Sequence, residues 1–101
     1  MSFHPVCTVA QLPPGALTEI TVGDKLIALC NVEGSLHAID GLCPHRGGSL
    51  GQGALHESMV VCPWHAWEFD CRTGRSDVDE FLQLAVYPVK IEDGEIFVDL
   101  P

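Results

Sequence analysis

Lys25-Leu26-Ile27-Ala28-Leu29-Cys30-Asn31-Val32 is apolar in both phases of a strand, with Leu26, Ala28, Cys30 and Val32 in one and Ile27 and Leu29 in the other. A half-buried strand alternates apolar with polar residues, whereas one apolar on both sides is covered on both sides. The stretch therefore reads as an internal β-strand. Gly23-Asp24 ahead of it and Glu33-Gly34 behind it supply turns, since both pairs suit tight reversals of the chain. Outward from these turns, Ala16 to Val22 contains alternation (Leu17, Ile20, Val22), and Leu36 to Ile39 completes a hairpin.

The C-terminal part repeats the pattern more clearly. Val89-Lys90-Ile91-Glu92, Asp93-Gly94 and Glu95-Ile96-Phe97-Val98 form the strongest hairpin signal in the chain. Leu82 to Val86 is expected to add a strand before Tyr87-Pro88. No segment holds a 3.6-residue period long enough for a helix. One helical turn around Thr8 to Leu12 is expected to stop at Pro13-Pro14. The fold class is all-β, an antiparallel β-sandwich, and 101 residues suit one domain over 1–101.

Charge and composition exclude several functions. Five Lys and Arg stand against fourteen Asp and Glu, a net of −9. Binding a nucleic acid needs a basic face to neutralise phosphates, so no nucleic-acid partner is expected. The longest apolar run, Leu26 to Cys30, is far shorter than a membrane helix requires, so no membrane span is expected. Met1-Ser2-Phe3-His4-Pro5 has no basic region ahead of an apolar stretch and does not read as a secretory signal. Five cysteines cannot all pair within one chain, and unpaired thiols suit a reducing compartment, so a cytoplasmic location is expected.

The segment from Gly41 to Gly74 differs in texture, being rich in Gly, Pro, Cys, His and Trp. It contains Cys43-Pro44-His45-Arg46-Gly47-Gly48 and Cys62-Pro63-Trp64-His65, with sixteen residues, Arg46 to Val61, between His45 and Cys62. Leu55 to Val61 is placed to form a hairpin that returns the second motif beside the first. Two thiolates and two imidazoles, one of each per loop, make a four-ligand metal set suited to iron or zinc. Pro44 and Pro63 stiffen the loops, and Gly47 and Gly48 let backbone amides approach a charged centre. Zinc remains an alternative occupant, although its usual sites group Cys with Cys and His with His.

The spacing Cys43-x-His45 with Cys62-x-x-His65 resembles the Rieske [2Fe-2S] signature, in which two Cys hold one iron and two His the other. Leu50, Trp67-Glu68-Phe69-Asp70, Thr73-Gly74 and Tyr87-Pro88 extend the resemblance over most of the chain. It implies one Rieske-type [2Fe-2S] cluster, with Cys43 and Cys62 on the inner iron and His45 and His65 on the outer. The cluster-binding part would be a loop-built subdomain of approximately 41–70.

High-potential members of the family carry an extra Cys in each ligand loop; Gly48 and Trp64 stand there. They also place hydroxyls where Trp67 and Phe69 stand here. The chain is therefore most similar to the soluble Rieske-type ferredoxins that serve bacterial oxygenases. The resemblance implies a one-electron carrier, not itself an enzyme, between a flavin-dependent reductase and a terminal oxygenase. The chain ends about 30 residues after the motifs, so the oxygenase itself is not expected. The alternative is a small Rieske subunit of a larger oxidoreductase, similar to the nitrite reductase small subunit.

The other residues take plainer expectations. Cys30 reads as a buried apolar residue, Cys7 and Cys71 as free thiols, and His4, His37 and His56 as surface histidines. Trp67 reads as core, Trp64 as packing or as a shield for the cluster, and Asp77-Val78-Asp79-Glu80 as a solvated acidic loop. From Leu42 to Ala66 the only charges are Arg46 and Glu57. Close contact with a partner is accordingly expected to use Pro44, Leu50, Pro63 and Trp64.

Overall fold

A computed structural model of the chain describes residues 2–43, 48–63, 67–77 and 82–100. Its strands are β1 (Ser2–Thr8), β2 (Leu17–Val22), β3 (Lys25–Val32), β4 (Ser35–Asp40), β5 (Ala54–His56), β6 (Met59–Val61), β7 (Glu68–Asp70), β8 (Val86–Tyr87), β9 (Val89–Glu92) and β10 (Glu95–Leu100). They form three antiparallel sheets, ordered β1-β10-β9, β2-β3-β4-β8 and β5-β6-β7. The fold is all-β, as expected.

Strand β3 lies between β2 and β4, and its residues from Ile27 to Asn31 are buried. Its two faces serve two cores. Ala28 and Cys30 join Ile39, Leu50, Val60, Phe69 and Leu84, whereas Ile27 and Leu29 join Ala38, Tyr87, Ile96 and Val98. The hairpin turns follow the sequence. Glu33-Gly34 and Asp93-Gly94 each take positive φ at both residues (53° and 97°, 51° and 79°), which the twist-matched two-residue turn demands. Buried Asn31 anchors the first turn, accepting from the Gly34 amide at 2.7 Å and donating to the Leu12 carbonyl at 2.8 Å.

One strand is added, one expectation changes and one expected turn is present. Ser2–Thr8 is a strand despite Pro5, because it lies at a sheet edge and the register shifts between Pro5 and Cys7. The strand expected over Leu82 to Val86 shrinks to Val86–Tyr87. The Leu84 amide is taken by the Gly74 carbonyl at 2.8 Å, and Gln83 bridges to Arg75. The helical turn near Thr8 is a 3-10 turn, Val9–Gln11, closed by the Thr8 amide on Gln11 Oε1 at 2.9 Å.

Candidate metal centre

Both ligand motifs sit at the ends of hairpins. In the first, the Leu50 amide donates to the Gly41 carbonyl at 2.8 Å, Leu42 bridges Ser49, and the Cys43 amide donates to the Gly48 carbonyl at 2.9 Å. In the second, β6 and β7 pair up to Val61 with Glu68, and the Cys62 amide then donates to the Trp67 carbonyl at 2.7 Å. Each hairpin thus closes at a cysteine, Cys43 against Gly48 and Cys62 against Trp67. Pro63 is described and exposed. His45 and His65, with Pro44, Arg46 and Trp64, lie outside the described residues.

Cys43 and Cys62 are 1% and 2% exposed and share one core cluster with Leu50, Val60 and Phe69. Neither is in a disulfide. Two soft sulfur donors, dry and presented by matching hairpins, fit a thiolate-bound iron site. The residues present therefore suit the cluster that the motifs imply. Phe69 is fully buried and Trp67 packs against the same core, so neither tuning position offers a hydroxyl.

The first hairpin is braced from a distance. Glu19 on β2 accepts from Ser49 Oγ at 2.6 Å and from Gln52 Nε2 at 2.9 Å. Those bonds hold its carboxyl below the usual carboxylate range. Gly51 lies against the Glu19 backbone with no room for a Cβ. Gly53 plays the same part for the second hairpin, since a Cβ there would run into the Val61 carbonyl and approach Pro63 Cδ to 3.2 Å. The sequence reading missed Glu19. An acidic residue in an alternating strand carries no local mark of such a role.

Several assignments shift. Leu50 is fully buried and is a core residue, not a contact residue; the exposed apolar side chain beside Cys43 is Leu42, at 50%. His37 lies within β4, half-buried, not at a strand end on the surface. Cys71 is unbridged, as expected, but it is fully buried and shares a core cluster with Cys30. Asp77 is tied to β7 rather than simply solvated, its amide donating to the Glu68 carbonyl at 3.1 Å and its Oδ1 accepting from the Glu68 amide at 3.2 Å. The acidic residues that follow it, Asp79 and Glu80, lie outside the described residues.

Paired hairpins that each close at a buried cysteine, set on an antiparallel sandwich and carrying the Cys-x-His and Cys-x-x-His motifs, define a small iron–sulfur domain. The chain belongs to the Rieske [2Fe-2S] domain family, whose pattern matches residues 2–88. Its cofactor is accordingly a Rieske-type [2Fe-2S] cluster. The 3-phenylpropionate/cinnamic acid dioxygenase ferredoxin subunit of Shigella flexneri is 39% identical over 97 residues, covering 94% of this chain and 91% of that protein. The ferredoxin of carbazole 1,9a-dioxygenase from Nocardioides aromaticivorans superposes with a TM-score of 0.88 at 33% identity, over 97% of each chain. A Mycobacterium tuberculosis protein described as an NADH-dependent nitrite reductase small subunit superposes at 0.86 with 25% identity, over 96% of this chain and 93% of that one.

Proposed function

We propose that this chain is the ferredoxin component of an oxygenase system, carrying single electrons from a flavin-dependent reductase to a terminal oxygenase. The observation that carries this reading is the pair of matched hairpins, each closing at a buried cysteine, Cys43 and Cys62. In it, Cys43, His45, Cys62 and His65 hold the cluster, and residues 41–70 form the cluster-binding part of a single domain. When bound, a Rieske-type cluster takes up and releases one electron. The chain's own residues do the rest. Leu50, Val60 and Phe69 keep water from the thiolates, and the backbone bonds of Cys43 and Cys62 fix where each motif begins.

No substrate site is assigned, and the chain catalyses no bond change of its own. Leu42 and Pro63, exposed next to Cys43 and Cys62 in the chain, suit a partner contact that is apolar at its centre. Among the described residues no helix is long and apolar enough to cross a membrane. Five cysteines with no disulfide among them, two of them cluster ligands in this reading, fit the cytoplasm. The likeness to the nitrite reductase small subunit favours a second reading, a subunit bound permanently in a larger enzyme. The higher identity to oxygenase ferredoxins makes it the weaker of the two.

Iron and acid-labile sulfide analysis, followed by stopped-flow reduction with a flavin-dependent ferredoxin reductase, tests the proposal. Equal iron and sulfide and rapid reduction of the isolated, monomeric chain are expected. Stoichiometric zinc without sulfide would overturn the cofactor. A chain that is reduced only inside a larger complex would favour the subunit reading.

A further inference from the structure

Cys30 and Cys71 lie outside the proposed ligand set, and the fold brings them together. Cys30 sits on the β3 face that carries Ala28. Cys71 follows β7, its amide held by the Ser58 carbonyl at 2.9 Å. Both are 0% exposed, both belong to one core cluster, and neither is in a disulfide. Each thiol is the first influence on the other's titration, so the two side chains lie within interaction distance. Cys30 favours the thiolate at Cys71, against the opposing effects of burial and the Asp70 charge and with a smaller contribution from Arg72, while the same contact and burial push Cys30 up. Cys71 is thus the better nucleophile of the pair.

A surface cavity of about 450 Å³ opens against their chain neighbours Asn31 and Arg72, with neither cysteine in its wall. Its walls include Val32 and Leu55, which pack against the cysteines' core cluster, and Ser58 and Arg72, which adjoin Cys71. A small polar oxidant entering there meets the layer over the thiols.

We propose that Cys30 and Cys71 form a reversible disulfide when the protein meets hydrogen peroxide. The Cys71 thiolate attacks one peroxide oxygen, the O–O bond breaks, and the departing hydroxide takes a proton to become water. Cys30 sulfur then attacks the resulting Cys71 sulfenic acid; the S–O bond breaks and a second water leaves with the Cys30 proton. Two thiols lose two electrons in all, and one peroxide becomes two waters. A dithiol reductant reverses the link. The bridge joins β3 of the four-stranded sheet to the end of β7 in the cluster-side sheet. The ring it closes, residues 30–71, contains Cys43, His45, Cys62 and His65. Oxidation would therefore tie down the whole ligand-bearing segment, whether or not the cluster is in place.

The test exposes the cluster-loaded protein to excess hydrogen peroxide while its visible absorbance is followed. Alkylation, digestion and mass spectrometry then map the thiols. A Cys30–Cys71 peptide pair lighter by two hydrogens is expected, with Cys7 alkylated and the link lost in dithiothreitol. Oxidation should also raise the thermal midpoint of the wild-type chain but not that of Cys71→Ala or Cys30→Ala. Recovery of both cysteines alkylated, of Cys71 as a sulfinic acid without a link, or of a Cys43–Cys62 link alone would overturn the proposal. The wild-type map decides the matter even if both variants fail to fold.

Discussion

Glu19 and Ser49, thirty positions apart in the chain, are joined side chain to side chain at 2.6 Å. The bond runs from a strand of the main sheet to the closing end of the first ligand hairpin, whose other end is Cys43. Glu19 also accepts from Gln52, so one carboxylate holds both ends of the Leu50–Gln52 turn. A brace of this kind fixes the loop without touching a ligand.

Glu19→Ala is expected to speed the loss of iron to a chelator severalfold while leaving far-ultraviolet dichroism unchanged. Ser49→Ala should act in the same direction. Because the two residues share one bond, the double variant should lose iron little faster than the worse single one. Chelation kinetics on the four proteins check this, and additive effects would show that the residues act separately.

Leu42 and Leu50 are expected to separate docking from folding. Leu42→Asp adds a charge at an exposed position and should slow electron transfer to a partner at every ionic strength, with unchanged stability. Leu50→Ala removes a fully buried side chain and should cost about 2–5 kcal/mol in denaturant unfolding. Stopped-flow rates across a salt series, set beside urea curves, distinguish the two.

Gly53→Ala should destabilise the second hairpin. A Cβ there collides with the Val61 carbonyl, backbone that cannot turn aside, and overpacking of this kind costs on the order of 1–3 kcal/mol. Urea unfolding measures the loss. An unaltered midpoint would mean that β5 and β6 slide apart without penalty.

Acidification should weaken the fold through His37. Burial, aided by the Arg72 charge and opposed by Asp70, holds its imidazole below the ordinary 6.5. The unfolded chain therefore binds the proton more readily, so this contribution is full above about pH 6.5 and fades as pH falls below it. Asp70 adds a later loss. Its hydrogen bonds to Arg72 keep the carboxyl below 3.8, so its contribution is present above that pH and goes as pH drops further. His37→Asn should flatten the fall in thermal midpoint between pH 7 and pH 5, and a parallel curve would remove His37 as the cause.

What was legible in the sequence was local. The doubly apolar stretch from Lys25 to Val32 identified the central strand, and Glu33-Gly34 and Asp93-Gly94 marked turns whose backbone angles agree. Cys43 and Cys62 were legible because each stands within a few residues of a histidine. Strand β1 was not, because Pro5 breaks the alternation and only a sheet edge with a shifted register tolerates it. The strand over 82–85 failed because its amide partner, Gly74, is set by a distant turn at φ 79°. Glu19 and the Cys30–Cys71 contact depend on how sheets stack, and no short window of sequence contains both members of either pair.

Strand β3 is a partition one residue thick. Ala28 and Cys30 look toward the sulfur-rich side, where Cys43, Cys62 and Cys71 also lie, while Ile27 and Leu29 look toward the side built by Ile96 and Val98. The two sides answer to different demands. One must suit an inorganic guest and its changing charge; the other has only to stay dry. A designer can therefore rebuild the β1, β9 and β10 side for durability, or carry a surface tether at Asp93, without redrawing the chemistry across the strand. Natural variation has the same freedom, since the two halves of the molecule can drift at different speeds while sharing a single wall.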